Sequence, residues 1–251
     1  MCGSADNLTD EHIISKTVRG QVPGVRQVWR TYLGRRSRAH QTLNVVLADA
    51  VCCKCNGGWM KSLEDDFVEF IGPQIRAEGR LALNPSACER VATWAVKTGL
   101  LLEIYHAALG LDNTFAPENN RRWLAEHVSP PPRSEVWIGQ YDFRKGHLHW
   151  SQPGSLLAEV TGGPIVPVAY TSPFSIGFLV FYVFGHDLSI TGPGDFASLN
   201  PPEWFREAFV KLWPRSDDLA FWPPYKRFDS DALVGLQSWI GARLPPPPAS
   251  P

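Results

Sequence analysis

Hydrophobic residues recur at two different periods along this chain of 251 residues, and the change of period divides it. Asn7 to Ile14 reads as a turn entering a short strand, and Leu43 to Leu47 as a second strand. Residues 16 to 40 between them read as loop, with Pro23-Gly24 and Gly34 as breakers and with Trp29 and Tyr32 as core anchors or, alternatively, as faces for a base to stack on. Trp59, Leu63, Phe67 and Phe70 then fall at steps of three and four, which predicts one apolar helix face with Lys61, Glu64, Asp65 and Asp66 on other sides. Gly57-Gly58 loosens the first turn of that helix. A second helix is expected from about Pro85-Ser86 through Val91, Trp94, Ala95, Thr98, Leu101 and Leu102, and a third over residues 117 to 128, ended by Pro130-Pro131-Pro132.

From Glu135 the pattern turns to strands. Val136 to Phe143 and His147 to Trp150, joined through Arg144-Lys145-Gly146, predict a hairpin. Ile165 to Tyr170 and Ser175 to Phe184 predict two more strands, and Glu203 to Leu212 and Asp231 to Ile240 two helices. Pro245 to Pro248 reads as a tail. The order implies an α+β chain. Its expected parts are a strand-loop-strand-helix unit over residues 1–72, a helical segment over 73–133, an α+β region over 134–243 and a Pro-rich tail over 244–251.

Composition narrows the class. A hydrophobic share of 44% with ten Trp is ample for a packed core, and a charged share of 20% argues against global disorder. The longest apolar run, Phe174 to Phe184, is interrupted by Ser175 and Gly177 and is too short to span a bilayer, so no membrane partner is expected. The start lacks a basic region followed by an apolar run, which is unlike a secretory signal and favours the cytoplasm. In that compartment clustered cysteines read as metal ligands rather than disulfides.

The net charge of -1 conceals an asymmetry. Between His12 and Ala48 there is no Asp or Glu, but there are seven bases: Lys16, Arg19, Arg26, Arg30, Arg35, Arg36 and Arg38. Such a stretch suits a phosphodiester backbone, although a solvated basic loop has the same look.

That basic stretch lies between the two most chemical pieces of the chain. Glu11-His12 sits on the first strand, and Cys52-Cys53-Lys54-Cys55-Asn56 follows the second. Phosphodiester hydrolysis needs a base for water and a cation for the developing charge. His12 has the ordinary pKa of a base near neutrality. Glu11 is its neighbour, so on a regular strand the two side chains point to opposite faces, unless a bend or bulge intervenes. Asn56 offers a carbonyl oxygen suited to Mg²⁺ or Mn²⁺, or alternatively a helix N-cap. The other histidines lack supporting spacing. Structural zinc takes four ligands. Cys52 and Cys55 supply two and Cys2 a third, while Cys53 is poorly aimed and Cys88 reads as buried. A CxxC ending at Cys2 would begin ahead of Met1. Three explanations stand: a start further upstream, a substitute ligand such as His40, or a site that no longer holds zinc.

Leu8-Thr9-Asp10-Glu11-His12-Ile13-Ile14 and Cys52-x-x-Cys55-Asn56-x-Gly58-Trp59-Met60-x-x-Leu63-Glu64 together resemble the HNH, or His-Me finger, endonucleases. The resemblance covers Cys2 to about Glu64. It implies a ββα-metal unit with a zinc knuckle, Glu11 and Asn56 on a catalytic Mg²⁺ or Mn²⁺, and His12 as general base. It further implies Cys2, Cys52 and Cys55 on Zn²⁺, Asn44 orienting His12, and DNA as partner. Ala92-Thr93-Trp94-Ala95-Val96-Lys97-Thr98 and Arg122-Trp123-Leu124-Ala125-Glu126-His127 are similar to a group of uncharacterised bacterial HNH proteins. Glu11 stands where Asp is commoner in the family, and Asn56 where the final His is commoner. The expectation is a metal-dependent endonuclease. The alternative is a zinc-knuckle module that binds nucleic acid without cutting it.

Overall fold

The computed structural model describes residues 1–3, 6–22, 28–33, 36–40, 43–77, 79–110, 115–142, 148–151, 154–159, 165–189, 201–215, 219–224, 226–228, 232 and 235–236. Strand β1 (Leu8–His12) is followed by a single helical turn, α1 (Lys16–Arg19), whose N-cap Ser15 accepts a hydrogen bond from the Val18 N–H. Strands β2 (Val28–Leu33) and β3 (Arg36–His40) come next, then β4 (Val46–Cys52). The stretch read as loop over 16 to 40 therefore contains a helical turn and two paired strands. The second strand lies later than the expected 43 to 47, because β4 is set by its antiparallel register with β1.

A short helix α2 (Cys53–Cys55), a widened turn over Asn56–Met60 and helix α3 (Lys61–Arg76) follow. Gly58 breaks the helical backbone inside that turn (φ -101°, ψ -113°), as the Gly57-Gly58 pair suggested. Beyond β5 (Leu81–Leu83) runs the longest helix, α4 (Pro85–Ala108). It starts where expected: Pro85 occupies the first turn and the Asn84 side chain accepts the Ala87 N–H at 2.8 Å. Its central positions are buried on every side, so it is a core helix rather than an amphipathic surface one. Trp94 stacks on Phe67 of α3 at 3.6 Å and meets Phe174 and Phe181 edge-on. Helix α5 (Glu118–His127) ends in Val128, held in the left-handed region at φ 50°.

The C-terminal half is strand-rich, as its pattern implied, but its pairings differ from the expected ones. The strands are β6 (Ser134–Tyr141), β7 (Leu148–Ser151), β8 (Gly154–Glu159), β9 (Ile165–Thr171), β10 (Phe174–Ile176) and β11 (Leu179–His186). Then come α6 (Glu203–Ala208), β12 (Phe209–Trp213), β13 (Ala220–Trp222) and β14 (Arg227–Phe228). A ten-stranded sheet runs β12-β6-β11-β10-β7-β2-β3, with β14 on β6, β9 on β11 and β8 on β9. The expected hairpin of β6 with β7 does not form. β6 is buried at all eight positions and pairs with β11, β12 and β14, while β7 pairs with β10 and β2.

The run expected as one strand over 175 to 184 is a hairpin of β10 and β11. Gly177 turns it at φ +55°, and a Cβ there would stand 2.2 Å from the Ile75 carbonyl oxygen. The helix expected over 203 to 212 stops at Ala208, where Phe209 switches to strand and pairs with Gly139 of β6. Of the helix expected over 231 to 240, Ala232, Gly235 and Leu236 are helical, and the rest lies outside the described residues, as does the Pro-rich tail. Among the described residues, no helix is long and apolar enough to cross a membrane.

The expected parting of residues 1–72 from 134–243 is crossed by the sheet itself. β2 pairs parallel with β7, so the segment between the two halves of the candidate site is built into the C-terminal sheet.

Candidate functional site

The site is assembled on the two-stranded β1–β4 ladder and on the helical segment that leaves β4. The ladder is irregular where it matters. From Thr9 to Glu11 two steps along β1 are matched by four along β4, from Val51 to Leu47. The excess is accommodated near Asp49, which takes a left-handed φ of 49° and donates its N–H to Asp10 Oδ1 at 3.3 Å. The bulge thus lies in β4 rather than in the Glu11-His12 pair. β1 stays extended, so alternation holds: Glu11 is buried on one face and His12 is half-buried on the other.

Asn56 is not a helix N-cap; it closes α2 as its C-cap residue. Its side-chain Nδ2 donates to Thr9 Oγ1 at 3.0 Å and to the Asp10 carbonyl oxygen at 3.1 Å, while Thr9 Oγ1 itself donates to the Val51 carbonyl at 2.9 Å. A backbone carbonyl can only accept, so the amide nitrogen is fixed toward β1 and Oδ1 is turned outward as an acceptor. Thr9 and Glu11 are two apart on β1 and share a face. The half-buried Asn56 is therefore held beside the strand that carries Glu11 and His12.

Glu11 faces the interior. Its Oε1 lies 3.6 Å from Lys97 Nζ of α4, and the same ammonium donates to Glu64 Oε1 of α3 at 2.7 Å. Lys97 is wholly buried, and the Glu11 and Glu64 side chains are 6% and 12% exposed. Burial pushes the Glu11 carboxyl above its ordinary value; Lys97 opposes this and Glu64 adds to it. A buried ammonium persists only where carboxylates compensate it, and here three elements, β1, α3 and α4, meet to do so.

Sequence reasoning placed Glu64 off the apolar face of its helix and gave Lys97 no role. The available signal was Lys97 itself, a lone charge inside the apolar Trp94 to Leu102 run. Asn44, expected to orient His12, is exposed and accepts a hydrogen bond from the Arg19 guanidinium.

The cysteines expected as ligands do converge. The Sγ atoms of Cys2, Cys52 and Cys55 lie within 4.8 Å of one another, and Cys2 and Cys52 approach to 3.4 Å. Cys53 is exposed and Cys88 is buried elsewhere, at the start of α4. Burial, with the neighbouring thiols of Cys52 and Cys2 adding to it, pushes the Cys55 thiol up to about 11, although the nearby Trp59 indole opposes the rise. Three sulfur donors this close can hold a metal such as zinc. They make one ligand fewer than a closed structural zinc site. His40 lies on β3 with its side chain outside the described residues.

The basic residues are spread. Lys16 is exposed at the start of α1 and Arg19 is half-buried at its end, next to β1 in sequence. Arg30 lies on β2, and Arg36 and Arg38 lie on β3, the end strand of the large sheet. Arg26 and Arg35 lie outside the described residues.

Neither a family model, nor a curated protein, nor a solved structure matches this chain.

Proposed function

We propose that the N-terminal unit is a metal-dependent endonuclease of the HNH type, acting on DNA. The observation that carries this reading is the attachment of Asn56 to β1. Two hydrogen bonds fix its amide on β1, the strand that carries Glu11 and His12, and leave Oδ1 as an acceptor that neither bond uses. A carboxylate and an amide oxygen are donors suited to Mg²⁺ or Mn²⁺. A bound divalent ion would neutralise charge developing on the phosphate and its leaving oxygen. In this reading Glu11 and Asn56 would hold the ion, and His12, on the other face of β1, would reach round the edge of the strand to take the proton from the attacking water. Cys2, Cys52 and Cys55 bind zinc and pin the start of the chain to the end of β4, and with it the turn that carries Asn56. Lys16 and Arg19, next to β1 in sequence, and the arginines that the chain carries on β2 and β3 would supply the positive charge for the phosphate backbone; charge of this kind positions DNA without reading its sequence.

The experiment is plasmid nicking by the full chain with Mg²⁺ or Mn²⁺, with His12→Ala as the comparison. Loss of a general base is expected to slow nicking by roughly 10²- to 10⁴-fold. Equal cleavage by the variant refutes the assignment of His12. Salt-sensitive DNA binding without cleavage under either metal supports the non-cutting module instead.

A further inference from the structure

The wholly buried Lys97 joins two carboxylates that come from different elements, and one of them is Glu11. Its contacts are unequal: 2.7 Å to Glu64 and 3.6 Å to Glu11. Glu64 is thus the anchor of the ammonium, and Glu11 rests against a cation whose place α3 and α4 have already set. The chain carries no slack here. Lys97 lies in the middle of the buried central stretch of α4, and Glu64 lies one turn into α3, next to the buried Leu63. The ammonium has no solvent to swing into, so a divalent ion would not displace it. With Oε1 of Glu11 against Lys97, Oε2 is the oxygen left for an ion.

We infer that Glu64 and Lys97 are positioning residues, a buried support that sets the direction in which Glu11 offers its carboxylate to the divalent cation. The inference rests on the reading of Glu11 as a metal ligand. It adds that the ligand is aimed by a charge relay from two core helices and not by β1 alone. Ligating carboxylates are commonly held in this way by partners behind them, and loss of such partners typically lowers metal affinity or activity by about 10- to 100-fold.

Simple charge counting makes the opposite forecast. Removing the ammonium leaves two acids together and should tighten cation binding. The test is Mn²⁺ affinity, measured by titration calorimetry on the zinc-loaded full chain, for wild type, Lys97→Met and Glu64→Asp, with thermal melts recorded in parallel. Glu64→Asp keeps the charge and withdraws the carboxylate by one methylene. It supplies the result if Lys97→Met does not fold. The expected outcome is Mn²⁺ binding weakened roughly tenfold or more in each folded variant. Nicking should fall in step, while zinc content stays unchanged. Tighter binding in Lys97→Met, or unchanged binding in Glu64→Asp, overturns the inference while wild-type nicking leaves the nuclease reading in place. Wild type that neither binds Mn²⁺ nor nicks overturns both.

Discussion

Replacing Gly177 by Ala tests the packing that ties α3 to the large sheet. Two costs coincide at this position. The residue sits at φ +55°, and an added Cβ would meet Ile75 O at 2.2 Å, Ile75 Cγ2 at 2.8 Å and the Ile75 carbonyl carbon at 3.0 Å. The left-handed backbone costs an L-residue about 1–2 kcal/mol. Forcing the hairpin off the end of α3 costs about 1–3 kcal/mol as overpacking. It also strains the hydrogen bond from the Phe178 N–H to Ile75 O, 3.3 Å long, worth about 1 kcal/mol. Reduced freedom of the unfolded chain returns about 0.5–1 kcal/mol. The net loss is about 4 kcal/mol, or a fall of roughly 10 °C in melting temperature for a chain of this size.

Two companion substitutions separate these contributions. Gly110 has φ +73° with nothing within 4 Å of a Cβ, so Gly110→Ala isolates the backbone cost, about 1 kcal/mol. Gly139 has an ordinary φ but a Cβ would stand 2.7 Å from the Ala208 carbonyl oxygen, so Gly139→Ala isolates crowding. Urea unfolding with a constant m-value reads all three. A Gly177→Ala loss no larger than that of Gly110→Ala would show that contact with Ile75 is not what demands glycine there.

Two further predictions concern titration. Glu103 is wholly buried on α4, and burial pushes its carboxyl well above the usual range, although the Phe115 N–H, 3.1 Å from Oε2, and Ser172 oppose the rise. The folded chain then keeps a proton that the unfolded chain releases, so stability is lost as pH rises past the ordinary carboxylate value. Glu103→Gln is expected to remove that slope, its melting temperature gaining on wild type between about pH 5 and pH 8; a constant difference between the two proteins would refute this. At the cysteine cluster, a Cys55 thiol pushed up to about 11 holds its proton at neutrality, so zinc uptake must release protons and tighten as pH rises. Calorimetry in buffers of different ionisation enthalpy counts those protons, and Cys55→Ser should lower zinc content; zinc bound without proton release contradicts the thiolate site.

The helices were legible because their signals are local. Pro85 marks the start of α4 in both the sequence and the fold, where Asn84 caps it, and the Trp59-Leu63-Phe67 spacing found α3. The cysteine cluster was legible because a CxxC needs only short range, with Cys2 the one distant member. The misread elements are those decided by partners far along the chain. Phe209 to Trp213 carries a helix-like spacing, yet β6 offers it a ladder and the strand wins. β6 is covered on both faces, so it shows no alternation that could identify its neighbours. Gly177 read as an interruption in one strand, and only its contact with Ile75 makes it a turn. At the site itself, Glu11, Asn56 and the cysteines were visible as motifs. Lys97 was hidden because a charge inside an apolar helix run is interpretable only once its two carboxylates are in place.

The parallel pairing of β2 with β7 sets an order on how this chain can be completed. Cys2, β1, β4 and the Asn56 turn can come together from the first part of the chain alone. β2 and β3 cannot find their sheet until β7 has been made, and Glu11 cannot gain its ammonium until α4 has been made. Non-local strand pairing of this kind is slow. A growing chain can therefore bring its cysteines together while its cationic strand pair is still without a partner strand. A fragment cut after α3 would remain in that unfinished state, with the motifs of a site but without the core that supports them.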